Sequence, residues 1–360
     1  MAVQGNLFIE RIYQQIEFEM LQNVGKILGN GKGVDEDGVT QWRVAKLSQL
    51  GTLQNEQLKV IAKYSGMTVE EVAKYIQELG VAEIEAFEGR NPVLSAADIE
   101  YVPPSNTVYD RLLALEKQSK DVMNMVNTNM LAFSEQAYRD ILTQASTDVL
   151  TGNSTLYQSL IKVAGKWAES GIPAIVDKAG KEWSSEAYIS MVLRNTQKNV
   201  AVSMQEVRAD DYGIDLIEIT SHAGSRPDHV EYQGNIYSKS GKSKKYPALS
   251  TTSYGEIDGI VTGINCGHQM YLYVEGVSTK RYESYDKKES EEAYIESQRQ
   301  RHLERNIRKA KKERAMLDAM EVDKAEIEKA DAKIEKRKEK MAEFIKETGR
   351  TRRKQRENIV

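Results

Sequence analysis

The sequence predicts a mainly α-helical protein with one small irregular α+β or β-rich module: a helical platform, then the His/Cys-bearing module, then a long charged C-terminal helix or helical hairpin. Three observations predict this. Over 360 residues there are only 6 Pro, while Ala, Glu, Lys, Leu and Met are abundant, a composition that favours helix. Apolar residues recur at steps of three to five through most of the chain, the period of a buried helical stripe. Between Gly213 and Gly276 that period fails, and glycine, proline and serine gather around three of the four histidines and the only cysteine.

Length and charge set the outer limits. A chain of this length divides into two or three packed units rather than one core. With 40% hydrophobic and 29% charged residues it reads as soluble, and its longest apolar runs are far short of a membrane span. The net charge of -4 is unevenly placed: residues 281–360 hold 24 Lys+Arg against 19 Asp+Glu, so the excess of acid lies in residues 1–280. Neither part has the charge of an obvious nucleic-acid binder. A single cysteine excludes an internal disulfide framework, and no secretory leader precedes the first helix; the expected compartment is a reducing cytoplasm, with no membrane partner.

Residues 1–90 form an N-terminal amphipathic helical region. Within it, 6–28 place Ile12, Ile16, Met20, Val24 and Ile27 on one face, and the Gly-rich run from Gly29 to Gly38 breaks that helix as a mobile loop. From Trp42 to Phe87 the pattern is again helical, with Asn55 and Thr68 as N-cap candidates and Thr68 at capping-box spacing from Glu71. The piece LKVIAKYSGMTVEEVAKYIQEL has the look of a helix-turn-helix, but its second helix is acidic where a DNA reader needs Arg, Lys or Asn, so it reads as a packing unit. Asn91-Pro92 and Pro103-Pro104 bracket a linker at 91–104.

The helical platform occupies 105–212, with helices over 108–118, 122–149, 155–170 and 184–209 separated by Gly152, Gly171-Ile172-Pro173 and Gly180. The module spans 213–280; Ile214 to Ile219 form a strand that delivers the chain to His222, and Tyr271 to Val274 form another. A charged helical region, coiled-coil-like in its narrow stripe, runs over 281–349. Leu303, Ile307, Ala310 and Leu317 begin that stripe, and Met320, Ile327, Ile334 and Met341 continue it at steps of seven. Gly349 ends it, and 350–360 is a basic tail whose Arg350, Arg352, Arg353, Lys354 and Arg356 are either solvated or in contact with nucleic-acid phosphates.

His222, His229, Cys266 and His268 fall within 47 residues, a clustering of metal-capable side chains that calls for a common purpose. One purpose is a structural Zn2+ held by all four, since zinc takes imidazole nitrogen and thiolate sulfur in a closed tetrahedron and a small module gains most from such a staple. Cys266 and His268, two apart in an extended segment, share a face. A second purpose is catalysis by a Cys266 thiolate with a histidine base and Asp228 as orienter, although no catalytic residue is assigned because neither an oxyanion hole nor a substrate pocket can be read. A third is a polar structural network around a buried thiol.

The order EITSHAGSRPDHVEYQGNIYS, then YP, then a Gly-rich segment, then GINCGH and YVEGVS resembles the phage minor capsid protein 2 family, and is more distantly similar to Mu-F-like head-morphogenesis proteins. The resemblance covers roughly Ser105 to Lys312, with His222, Gly224, Arg226, Pro227, His229, Gln233, Gly234, Asn265, Cys266 and His268 at the signature positions. Ser225 stands where Ala is usual and Gly267 where Arg is usual, which removes a basic side chain between Cys and His but leaves the candidate ligands in place. The resemblance implies a minor structural and assembly protein of a tailed-phage or prophage head, near the portal inside the capsid and without enzymatic activity in this core. Its implied partners are portal, capsid and scaffold proteins, with assembly in the host cytoplasm and residence in the virion. Two other classes stay open: an internal protein associated with the packaged double-stranded DNA, and a cysteine-dependent enzyme using Cys266 and a histidine.

Overall fold

A computed structural model describes residues 2–89, 94 and 97–359. The described elements are α1 (Ala2–Leu28), α2 (Val39–Ser48), α3 (Leu50–Gly89), α4 (Asn106–Leu150), α5 (Leu156–Ser170), β1 (Pro173–Val176), β2 (Glu182–Ser184), α6 (Ser185–Asp211), β3 (Leu216–Ile219), β4 (Ile236–Ser238), β5 (Met270–Tyr273), α7 (Lys287–Ala319) and α8 (Lys324–Thr348). The protein is mainly helical with small antiparallel sheets, as its composition predicts.

Two compact units emerge: one holds residues up to Asn6, Glu70–Asp121 and Ser190–Gln298, the other Leu7–Val69, Val122–Ile189 and residues from Arg299 onward. The divisions fall inside α1, α3, α4, α6 and α7. The whole 213–280 module lies in the first unit, and so does Pro103-Pro104, while Asn91-Pro92 lies outside the described residues. The segment around Pro103 is packed rather than free: the buried Arg208 guanidinium donates to the Val102 carbonyl and pairs with Asp211.

Several expected helix ends are absent. Asn55 and Thr68 sit inside the continuous α3, so neither caps a helix there and no turn divides the helix-turn-helix-like piece. Gly66 in its middle faces open space; an interior glycine costs about 1 kcal/mol relative to alanine, which buried Val60, Ile61, Val72 and Ile76 on the same helix outweigh. The 108–118 and 122–149 segments are likewise one helix, α4. Ser119 there bonds back to the Leu115 carbonyl, a helix-compatible contact, and no Gly or Pro interrupts the run.

In the second unit α1 buries Ile9, Ile16, Met20 and Val24, with the Tyr13 hydroxyl on Asn127 and the Gln57 amide on the Met20 carbonyl. The Gly29–Gly38 loop is tied down, not loose: the Asn30 amide donates to the Glu321 carbonyl and Lys32 pairs with Asp323. α7 and α8 form an antiparallel hairpin in their described second-unit part. Ile307, Met341 and Phe344 share a core, Arg314 pairs with Asp331, and Gly349 closes α8 in the left-handed conformation that glycine adopts at little cost.

The first unit carries the sheet, in the order β4-β3-β5 with both pairings antiparallel. β3 is central, so Ile217 and Ile219 are buried along with Val202 of α6, Tyr237, Leu249, Ile260, Val261 and Met270. Antiparallel order brings the end of β3 to the starts of β4 and β5, so residues just beyond those three strand ends must meet.

Candidate metal centre in the β module

At that end of the sheet, Thr220 and Gln269 continue the β3–β5 pairing through the Thr220 N–H to the Gln269 carbonyl at 2.9 Å. His222 follows β3 by three residues and His268 precedes β5 by two, and their rings consequently stack with centroids 4.5 Å apart. Gln233, immediately before the Gly234-Asn235 pair that leads into β4, is fully buried against both. Its side-chain oxygen accepts from the His222 backbone N–H at 3.1 Å and lies 2.9 Å from His268 Nε2.

Pro227–His229 forms a 3-10 turn with Pro227 at its first position, where a missing N–H costs nothing. The turn buries His229 and places its Nε2 2.8 Å from the Asp258 carbonyl oxygen. Arg226 holds the opposite loop, its guanidinium donating to the Asp258 carbonyl at 3.0 Å and to the Ile264 carbonyl at 2.5 Å. Asn265 has φ 56, a left-handed conformation that Asn tolerates better than most side chains, and its N–H donates to Asn195 Oδ1. Gly224, with φ 75, approaches the backbone at Ala293, and Gly234, with φ 72, would place a Cβ only 2.7 Å from the Glu283 carbonyl carbon. Each signature residue outside the His/Cys group therefore holds a turn or loop that frames the group.

His229, Cys266 and His268 converge, with ligand atoms all within 4.8 Å of one another. Cys266 Sγ is 3.3 Å from His268 Nδ1 and 3.7 Å from His229 Nδ1. His222 is not among these three: its Nδ1 is 3.2 Å from the Ala223 carbonyl, and its buried Nε2 has no hydrogen-bond partner among the described residues. An added Cβ at Gly267 would come within 2.9 Å of that Nε2, so the glycine leaves the space the His222 ring occupies. Asp228 points outward, with its carboxylate 4.0 Å from His229 Nε2 and largely exposed, a poor orienter beside the Asp258 carbonyl that holds the same nitrogen.

The tautomers follow from the partners. A carbonyl or amide oxygen can only accept, so both Nε2 atoms carry hydrogen, and in the neutral rings both Nδ1 lone pairs face the sulfur. Burial raises the Cys266 thiol pKa, but His229, His268 and Lys198 outweigh it and bring it down to about 4. Burial pushes His229 down, yet its contacts with Cys266 and Asp258 leave it raised. At His268 burial prevails and the pKa is lowered. These contacts favour the thiolate of Cys266, the form that binds a metal or attacks a carbonyl.

Contacts that carried no signal in the sequence complete the frame. The Lys198 ammonium, on α6, donates to the Cys266 carbonyl at 2.9 Å, and the Val261 N–H donates to Sγ at 3.2 Å. Val261 is fully buried with φ 65, an uncommon conformation for a β-branched side chain. In the tail, the Arg350 side chain donates to Gln300, Arg352 pairs with Glu357 and Arg353 with Glu304. Arg356 lends its carbonyl to Arg308, and Lys354 is exposed.

Comparison with known proteins gives a family model, phage minor capsid protein 2, that matches residues 7–346. A curated structural protein of Lactococcus phage LL-H is 29% identical over 287 residues, 76% of each chain. A structural protein of Lactococcus phage mv4 is 43% identical over 67 residues, 19% of this chain and 54% of that one. No solved structure matches.

Proposed function

Because the chain belongs to the phage minor capsid protein 2 family, we propose that it is a minor structural and assembly protein of a tailed-phage head, placed at or near the portal inside the capsid. The observation that carries this reading is the reach of the family match, which takes in both units rather than the His/Cys module alone. Relatives from two phages bear the name structural protein. Portal, capsid and scaffold proteins are then its partners and the virion its destination, after assembly in the host cytoplasm. No described helix is long and apolar enough to cross a membrane.

The other two readings have less support. Phosphate binding needs available cations, and Arg350, Arg352 and Arg353 are engaged with partners in the same chain. A cysteine nucleophile needs an open approach, and Cys266 is buried beneath His229, His268 and the Val261 N–H.

The test is quantitative mass spectrometry of purified particles combined with chemical cross-linking. The expected result is a few copies per particle with cross-links to the portal ring. Absence of the chain from particles would reject the structural role, and cross-links confined to the outer shell or tail would reject the location.

A further inference from the structure

We propose that His229, Cys266 and His268 ligate one structural Zn2+ ion, with His222 closing the fourth position. Three features of the module carry this assignment beyond a clustering of residue types.

The first is distance. With Zn–S of about 2.3 Å and Zn–N of about 2.0–2.1 Å, a tetrahedral ion holds its sulfur and nitrogen donors about 3.6 Å apart. The two Sγ to Nδ1 separations are 3.7 and 3.3 Å, and all three donor atoms fall within 4.8 Å of one another.

The second is donor accounting. Both Nε2 hydrogens are taken by the Asp258 carbonyl and the Gln233 side-chain oxygen, so two Nδ1 lone pairs point at one sulfur. A thiol has a single hydrogen and satisfies only one of them, and a thiolate satisfies neither. A divalent ion satisfies both and the sulfur together. The Nε2 contacts to carbonyl and amide oxygens are also the outer contacts by which metal-bound imidazoles are oriented.

The third is the neighbouring ring. His222 stacks on His268, and its Nε2 is buried without a partner among the described residues while its Nδ1 hydrogen goes to Ala223. A buried unpaired imidazole nitrogen on a ring stacked against one of the three ligands is the donor a closed site needs. Nitrogen and thiolate sulfur in a tetrahedron select zinc over magnesium, calcium or manganese. A site with four protein ligands has no position for a reacting water, so the ion joins the ends of β3 and β5 to the Pro227–His229 turn.

The test uses the full chain. Protein purified under reducing conditions without added metal is analysed for its elements, then stripped with a chelator and titrated with Co2+ while absorption is recorded. One equivalent of zinc as purified is expected, and one equivalent of Co2+ should give thiolate-to-metal charge transfer with the intense visible bands of a tetrahedral ion. Cys266→Ser should lose the charge-transfer band. His222→Asn should keep it, but bind Co2+ at least about tenfold more weakly, with altered visible bands. Failure of the wild-type chain to take up stoichiometric zinc or Co2+ would overturn the site whether or not any variant folds. Unchanged affinity and spectrum in His222→Asn, with far-ultraviolet circular dichroism like wild type, would overturn the fourth ligand.

Discussion

Gly234 shows how narrowly single residues are determined around the site. Its φ of 72 lies in the left-handed region, where a side chain costs roughly 1–2 kcal/mol, and its missing Cβ is replaced by the backbone of Glu283 and Ser284 at 2.7 to 2.9 Å. None of these atoms belongs to a flexible side chain, so the strand-entry segment must shift to admit a methyl group. Gly234→Ala is therefore expected to lower stability by about 2 kcal/mol or more, read as a lower urea midpoint. A change under about 0.5 kcal/mol would show that the close approach is not maintained in solution. Gly267 differs, because the group its Cβ would meet is the His222 ring rather than backbone. Val261 is the strained counterpart: its left-handed backbone directs an N–H at Cys266 Sγ, and conformations of this kind persist where surrounding structure over-determines them.

At the scale of elements, helix ends and helix contacts follow different rules. α5 begins where Thr155 and Gln158 make a reciprocal capping box, and it ends at Gly171. Its C-terminal end is anchored by the Ile172 N–H donating to Glu17 of α1, whose other oxygen takes the Lys312 ammonium of α7 at 2.7 Å; this buried charge pair is hydrogen-bonded at both oxygens. A more exposed cluster ties α5 to α8. Burial raises the Glu169 pKa, but hydrogen bonds from Lys333 and Arg337 outweigh it, and the folded value is lowered. A lowered carboxylate contributes stability that is complete above its unfolded value, about 4.3, and disappears as the pH falls through the folded value. Glu169→Gln should accordingly lower the melting temperature at pH 7 and converge on wild type as the pH falls through that folded value, by thermal circular dichroism. Parallel melting curves with a constant offset across that range would contradict the assignment.

For the molecule as a whole, charge is used internally. Glu304 and Glu357 are buried and hold Arg353 and Arg352, so the basic tail folds on itself and on α7 instead of presenting a row of open cations. A protein neutralising six to ten phosphates loses about 10³–10⁵ in affinity between 50 and 200 mM salt. Fluorescence anisotropy with a labelled duplex should show weak binding whose salt dependence is far shallower. A slope of that steepness would restore the DNA-associated role.

Composition and period were enough to read a helical protein with one interrupted module, because helix propensity and apolar spacing are local properties summed along the chain. The order of motifs from His222 to His268 was enough to place the family. Those residues did not reveal which of the four would meet, since that depends on the β4-β3-β5 order bringing three strand ends together, and on Asp258, Gln233 and Lys198 fixing the rings and the loop from distant positions. The continuous α3 and α4 were hidden for a related reason. Thr68 and the Ser119 region read as helix boundaries when only neighbours in sequence are counted, and packing along the full helix decides otherwise. Local sequence dictates the class of the elements and the identity of the available donors. Tertiary structure alone decided their convergence, because strand pairing and loop closure act between residues far apart in the chain.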